Sequence, residues 1–206
     1  MNKKVIIVSI AGVIVVAGVA VAALSLFGQD AKKAAAPSNT TVPLTADLSK
    51  DFGACNLVQK EDISFAFGDV AANLQGPDNA GLINVLNGQT QLCVYSFVPG
   101  GNIENSFNAY SGMSVEVLEF KDQALRSDDL SALSAVEGVI AIEGLGESAF
   151  HRTIDGEGQN RVRHMLSLYQ DLKKYTFMVS EPADAVTITP ASARSALETV
   201  ARTATF

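Results

Sequence analysis

The side chains able to do chemistry are few. His151 and His164 are the only histidines and Cys55 and Cys93 the only cysteines, while Arg152, Arg161 and Arg163 form the best local basic patch in an acidic chain. The histidines and arginines flank a polar, glycine-containing stretch, Ile154–Asn160, "IDGEGQN", which predicts a β-hairpin. A two-residue turn at Glu157–Gly158 sets His151 opposite His164 and Arg152 opposite Arg163. Two adjacent imidazoles are candidate ligands for a metal, or a pH sensor. The competing reading is a half-buried structural position, because His164 shares its strand face with Val162, Leu166 and Leu168. The three arginines are candidate ligands for an anionic polymer or a carboxylate. Alternatively they form a solvated face paired with Asp155 and Glu157 in the turn.

Other chemistries lack their residues. No serine stands in a G-x-S-x-G elbow, and a serine without a placed base is inert. "GLGES" at Gly144–Ser148 lacks the Lys-Ser/Thr that would meet phosphate and magnesium. No cofactor is expected. Carboxylates are plentiful, but nothing in the spacing singles out a pair.

The cysteines lie 38 positions apart with no C-x-x-C between them. A lone pair of this kind suits one disulfide in an oxidising compartment. Two reduced, buried thiols are the alternative. Val5–Phe27 runs 23 residues without a charge. As a helix it spans roughly 35 Å, enough for the hydrocarbon core of a bilayer. A cleaved signal would carry a shorter apolar region, and cutting after "AVA" at Ala20–Ala22 would leave a greasy new N-terminus. We therefore read residues 1–4 as a cytoplasmic stub, 5–27 as a transmembrane anchor and 28–46 as a flexible Ala/Thr/Ser/Pro tether. Residues 47–206 are expected to form one extracytoplasmic domain at the cell membrane. Lys3 and Lys4 before the anchor, against Lys32 and Lys33 after it, orient it only weakly; the cysteine argument places the body outside. Setting aside Lys3 and Lys4 leaves 13 cationic side chains against 22 acidic ones, a charge of −9. Such a body argues against nucleic acid as a partner.

Within the domain, Gln59–Phe67 has Glu61 and Asp62 in a first turn and Ile63, Ala66 and Phe67 on one face, a short helix stopped by Gly68. Thr90–Val98 and Met113–Phe120 have strand character. Lys121 to about Val136 is expected to be helical and broken near Ser127, with Ser127 as a new N-cap. Val139–Ile142 is helix or strand. Gly144–Phe150 is a glycine turn running into the hairpin strands Ser148–Thr153 and Arg161–Tyr169, and Lys174–Ser180 is the next strand. Thr189 caps a last helix with Pro190 in its first turn and Ala193, Ala196, Leu197, Val200, Ala201 and Ala204 on one face. A disulfide would pin the entry of the first helix onto a strand.

The segment "ACNLVQKEDISFAFG", the later "CVYSF" and the turn "GLGESAF" together resemble a group of bacterial, mostly actinobacterial, envelope lipoproteins of unknown function. Cys55, Leu57, Lys60, Glu61, Gly68, Cys93, Tyr95, Gly144, Gly146 and Ala149 carry the resemblance. Gln59 stands where that pattern has a capping threonine, Glu147 replaces an aspartate, and an apolar segment replaces the lipid-modified cysteine. The resemblance implies an extracytoplasmic location and a sheet domain of the PsbP-like kind, and it supplies no catalytic residues.

The pattern commits to an α+β fold: a layered domain with a twisted, mainly antiparallel sheet covered by helices, preceded by one transmembrane helix. The function expected is a membrane-anchored, non-enzymatic binding module of the cell envelope. Its partners would be the membrane, through residues 5–27, and an envelope protein or wall polymer. An envelope hydrolase with a site assembled only in three dimensions, or a structural assembly subunit, are the alternatives.

Overall fold

The computed structural model describes residues 51–99, 111–156 and 160–206. The candidate anchor at 5–27 and the tether at 28–46 lie outside them. Among the described residues no helix is long and apolar enough to cross a membrane.

The elements are α1 (Lys60–Phe67), a 3-10 turn (Gly68–Ala71), β1 (Gln75–Val85), β2 (Gly88–Ser96), β3 (Gly112–Phe120), α2 (Gln123–Ser134), β4 (Ile140–Ile142), β5 (Ser148–Gly156), β6 (Arg161–Gln170), β7 (Lys173–Pro182) and α3 (Pro190–Thr203). The strands form one sheet in the order β1-β2-β3-β7-β6-β5-β4. Every neighbouring pair is antiparallel. The α+β class and antiparallel sheet expected from the pattern are thus present.

The alternation of side chains along each strand divides the sheet into two faces. One face presents Cys93, Tyr95, Val115, Val117, Leu166, Leu168, Tyr175, Phe177 and Val179. Helices α1 and α3 close it with Ile63, Phe67, Ala193, Leu197, Val200 and Ala201, and this is the main core. The small residues on α3 allow its backbone to approach the sheet closely. The other face is closed only in part. There α2 packs Leu125, Leu130 and Leu133 around Leu118, Phe120 and Tyr169.

Cys55 and Cys93 are bridged, with Cα atoms 5.1 Å apart, so the approach to α1 is stapled onto β2, the strand next to the β1 edge. Two further side chains hold the same stretch through three hydrogen bonds. The Gln91 Oε1 accepts from the backbone N–H of Phe52 (2.8 Å) and of Ala54 (3.2 Å), and the Tyr95 hydroxyl donates to Val58 O at 3.2 Å.

The expected break at Ser127 is absent. Helix α2 is continuous, and its N-cap is Asp122, whose carboxylate accepts from Leu125 N at 2.9 Å. An aspartate at the true boundary satisfies the orphan donors before Ser127 is reached. Val139–Ile142 resolves as the short edge strand β4. Strand β1 carries no strand signature, since "QGPDNAGLINV" is rich in residues that disfavour sheets. It is an edge strand with register shifts between Gln75 and Asp78 and between Asn79 and Leu82, where proline and irregular pairing are tolerated and guard the open edge.

Gly88 begins β2 where β3 passes closest. A Cβ there would lie 1.9 Å from Glu119 O. Gly88→Ala must therefore push β2 off β3, and we expect a loss of about 2 kcal/mol, read as a lower urea midpoint at unchanged slope.

Candidate functional site

The hairpin β5–β6 carries all five candidate side chains, but in a register displaced from the expected one. Gly156 pairs with Arg161, His151 with Leu166, Thr153 with His164, Arg152 with Met165 and Ile154 with Arg163. The two-residue turn at Glu157–Gly158 is thus corrected: the paired strands end at Gly156 and Arg161. The displacement is by two positions. It abolishes the direct His151–His164 and Arg152–Arg163 pairings yet leaves every side chain on its face, because strand side chains repeat every second residue.

The histidines consequently sit on the core face as diagonal neighbours. Their rings stack with centroids 6.4 Å apart and planes 9° from parallel. His151 is 3% exposed and His164 1%. The Thr153 hydroxyl lies 2.9 Å from His164 Nδ1, whereas neither ring nitrogen of His151 meets a hydrogen-bond partner among the described residues. Burial, with His164 and Arg194 of α3 adding repulsion, pulls the His151 imidazole down to about 4. It is neutral at neutral pH. Among the described residues no group of three or more His, Cys, Asp or Glu side chains is placed to hold a metal.

The arginines occupy the opposite face. Arg161 and Arg163 are neighbours along β6, and Arg152 stands diagonal to Arg163 on β5. Arg161 is buried and the other two half-buried. Burial holds all three guanidinium groups below the ordinary arginine range, and Arg163 pushes Arg161 further down. Arg152 Nη2 lies 3.8 Å from Met165 Sδ. Hydroxyl-bearing residues extend this face across the sheet: Ser180 pairs with Arg163, and Ser167 with Thr176. On β3, Glu116 accepts from the Thr90 hydroxyl at 2.8 Å.

Where α2 meets this face, a polar node that sequence reasoning missed borders Arg152. The Tyr169 hydroxyl donates to Asp129 Oδ2, and Lys174 Nζ approaches the same oxygen at 2.8 Å. Arg126 of α2 lies 5.7 Å from the Tyr169 ring centroid and pairs with Glu147. Burial and the Asp129 carboxylate raise the Tyr169 phenol far above its ordinary range. Tyr169 and Asp129 in turn favour the charged form of Arg152 against the cost of burial. Asp129 is 40 positions from Tyr169, and the only sequence signal was a charged residue on a helix, which usually means solvent.

At the far end of the sheet a groove of about 470 Å³ is lined by Asp69, Val70, Phe97, Ser111, Glu181 and Thr187, among others. Glu181, only 2% exposed, looks at first like a catalytic acid. Its oxygens are instead occupied by Thr187 N, Ile188 N and the Thr187 hydroxyl, so it ties the loop that leads into α3.

The fold and these side chains define an α+β sheet domain with one helix-covered face and one largely polar, arginine-bearing face. No protein family, curated protein or solved structure matches the chain.

Proposed function

We propose that this is a membrane-anchored, extracytoplasmic binding module without catalytic chemistry of its own, and that the arginine-bearing sheet face receives an anionic polymer of the cell envelope. The observation that carries this reading is the gathering of Arg152, Arg161 and Arg163 on one face of a body whose overall charge is strongly negative. Guanidinium groups bind carboxylate and phosphate through paired N–H donors. The disulfide fits an oxidising compartment, and the uncharged run at residues 5–27 fits an anchor.

The test is binding of the full-length protein, in detergent, to polyphosphate and to polyglutamate at two salt concentrations. Affinity should fall as salt rises. Arg152→Gln with Arg163→Gln should weaken binding about tenfold or more, with the circular dichroism spectrum unchanged. Equal affinity in the variant and the parent defeats the assignment.

A further inference from the structure

Both cysteines are tied in the disulfide, so the sulfurs left to react with an oxidant are thioethers. The chain has four methionines. Met1 lies outside the described residues. Met113 sits on the helix-covered face and is 1% exposed. Met165 and Met178 are half-buried and stand directly opposite each other on β6 and β7. Both belong to the arginine-bearing face, because Met165 pairs with Arg152 across β5 and β6.

One cross-strand row therefore reads Arg152, Met165, Met178. Within it Arg152 Nη2 lies 3.8 Å from Met165 Sδ. A thioether sulfur is a weak acceptor, so this contact leaves the guanidinium fork able to meet an anion. Oxidation of the sulfur changes the balance. A sulfoxide is polar, and its oxygen is a much stronger acceptor than the sulfur it replaces. The unbranched methionine side chain has three rotatable bonds, enough to turn either sulfoxide epimer towards the guanidinium. A hydrogen bond from a charged donor is among the stronger kinds. The N–H groups that would pair with a carboxylate or phosphate are then held within the sheet face.

We propose that Met165 is an oxidation site that regulates the arginine-bearing face: its sulfoxide engages the Arg152 guanidinium and weakens the hold on a polyanion. This rests on the reading of that face as an anion-binding surface. The oxidant is a peroxide. The Sδ lone pair attacks one peroxide oxygen, the S–O bond forms and the O–O bond breaks. Sulfur gives up two electrons to the peroxide. With hydrogen peroxide the leaving hydroxide takes the proton from the transferred oxygen and departs as water. Methionine sulfoxide reductases, one for each epimer, reverse the change. Met165 is thus a positioning residue that acts through Arg152.

The test treats the full-length protein, in detergent, with hydrogen peroxide and reads oxidation at each methionine by peptide mass. Polyphosphate affinity is measured before and after. Parent and Met178→Leu are expected to lose affinity about threefold or more, and both sulfoxide reductases together should restore it. Met165→Leu, which conserves volume, should bind like the parent and ignore peroxide. In Arg152→Gln the residual affinity should not change on oxidation, an outcome that general damage to the fold would not give. Three results overturn the regulation and leave the binding face standing: oxidised Met165 with unchanged affinity, an equal loss in Met165→Leu, or Met165 unoxidised after Met178 has reacted. Untreated parent that does not bind polyphosphate overturns the regulation together with the polyanion reading on which it rests.

Discussion

Replacing Cys55 and Cys93 together by alanine is expected to lower the unfolding free energy by about 4 kcal/mol at 25 °C in the chain-entropy account of a 38-residue separation. This is a large share of the stability of a domain this size. The double variant avoids the stray thiol that a single one would leave. In the folded protein the bridge holds a stretch with little regular structure, where Ala54, Leu57 and Val58 are buried. Urea unfolding should show the lower midpoint, and reduced wild-type protein should match the variant. A loss below about 1 kcal/mol would mean that the Gln91 and Tyr95 hydrogen bonds hold this stretch unaided, and that the bridge restricts the unfolded chain far less than its loop length implies.

Stability should also fall steeply in mild acid because of His151. In the unfolded chain this imidazole takes a proton near pH 6.5, whereas in the folded protein it resists protonation down to about 4. Between those values the unfolded state binds a proton that the folded state refuses, so acid favours unfolding. The contribution is fully present above pH 6.5 and is lost as pH falls to 4, amounting to about 3 kcal/mol. The ionisable groups acting on it are His164 from β6 and Arg194 from α3, and β4 opposite contributes only Ile140, Ala141 and Ile142. No carboxylate is among the groups acting on His151, so the new charge would be poorly compensated beneath α3. Carboxylates titrate over the same range, so the informative quantity is the difference between the parent and His151→Leu. Urea midpoints at pH 7.5 and 4.5 should diverge for the parent and converge for the variant. Equal pH dependence in the two would remove His151 as the cause.

Much of the scaffold was legible because its signals are local. The first helix with Gly68 at its end and the capped last helix with its apolar stripe follow from short-range rules of capping and periodicity. So does the strand character of Met113–Phe120. The misread helix boundary at Ser127 was a contest between two caps five residues apart, which only the rest of the chain could decide. Strand β1 was invisible because an edge strand with irregular pairing needs neither β-branched residues nor alternation.

By itself, then, the sequence determined which residues could matter and which of them share a face. The alternating pattern put His151 with His164, and Arg152 with Arg161 and Arg163, under either register. Tertiary structure decided which face is which. A hairpin has two equivalent sides until helices choose one. Helices α1 and α3 bring their apolar stripes to the side bearing Leu166, Leu168, Phe177 and Val179, because only there can both surfaces leave water. That choice buried the histidines as a neutral stack and left the arginines on the side that α2 covers only at one end. Likewise, no local pattern could bring Asp129 to Tyr169, since that contact joins segments that only the completed sheet makes neighbours.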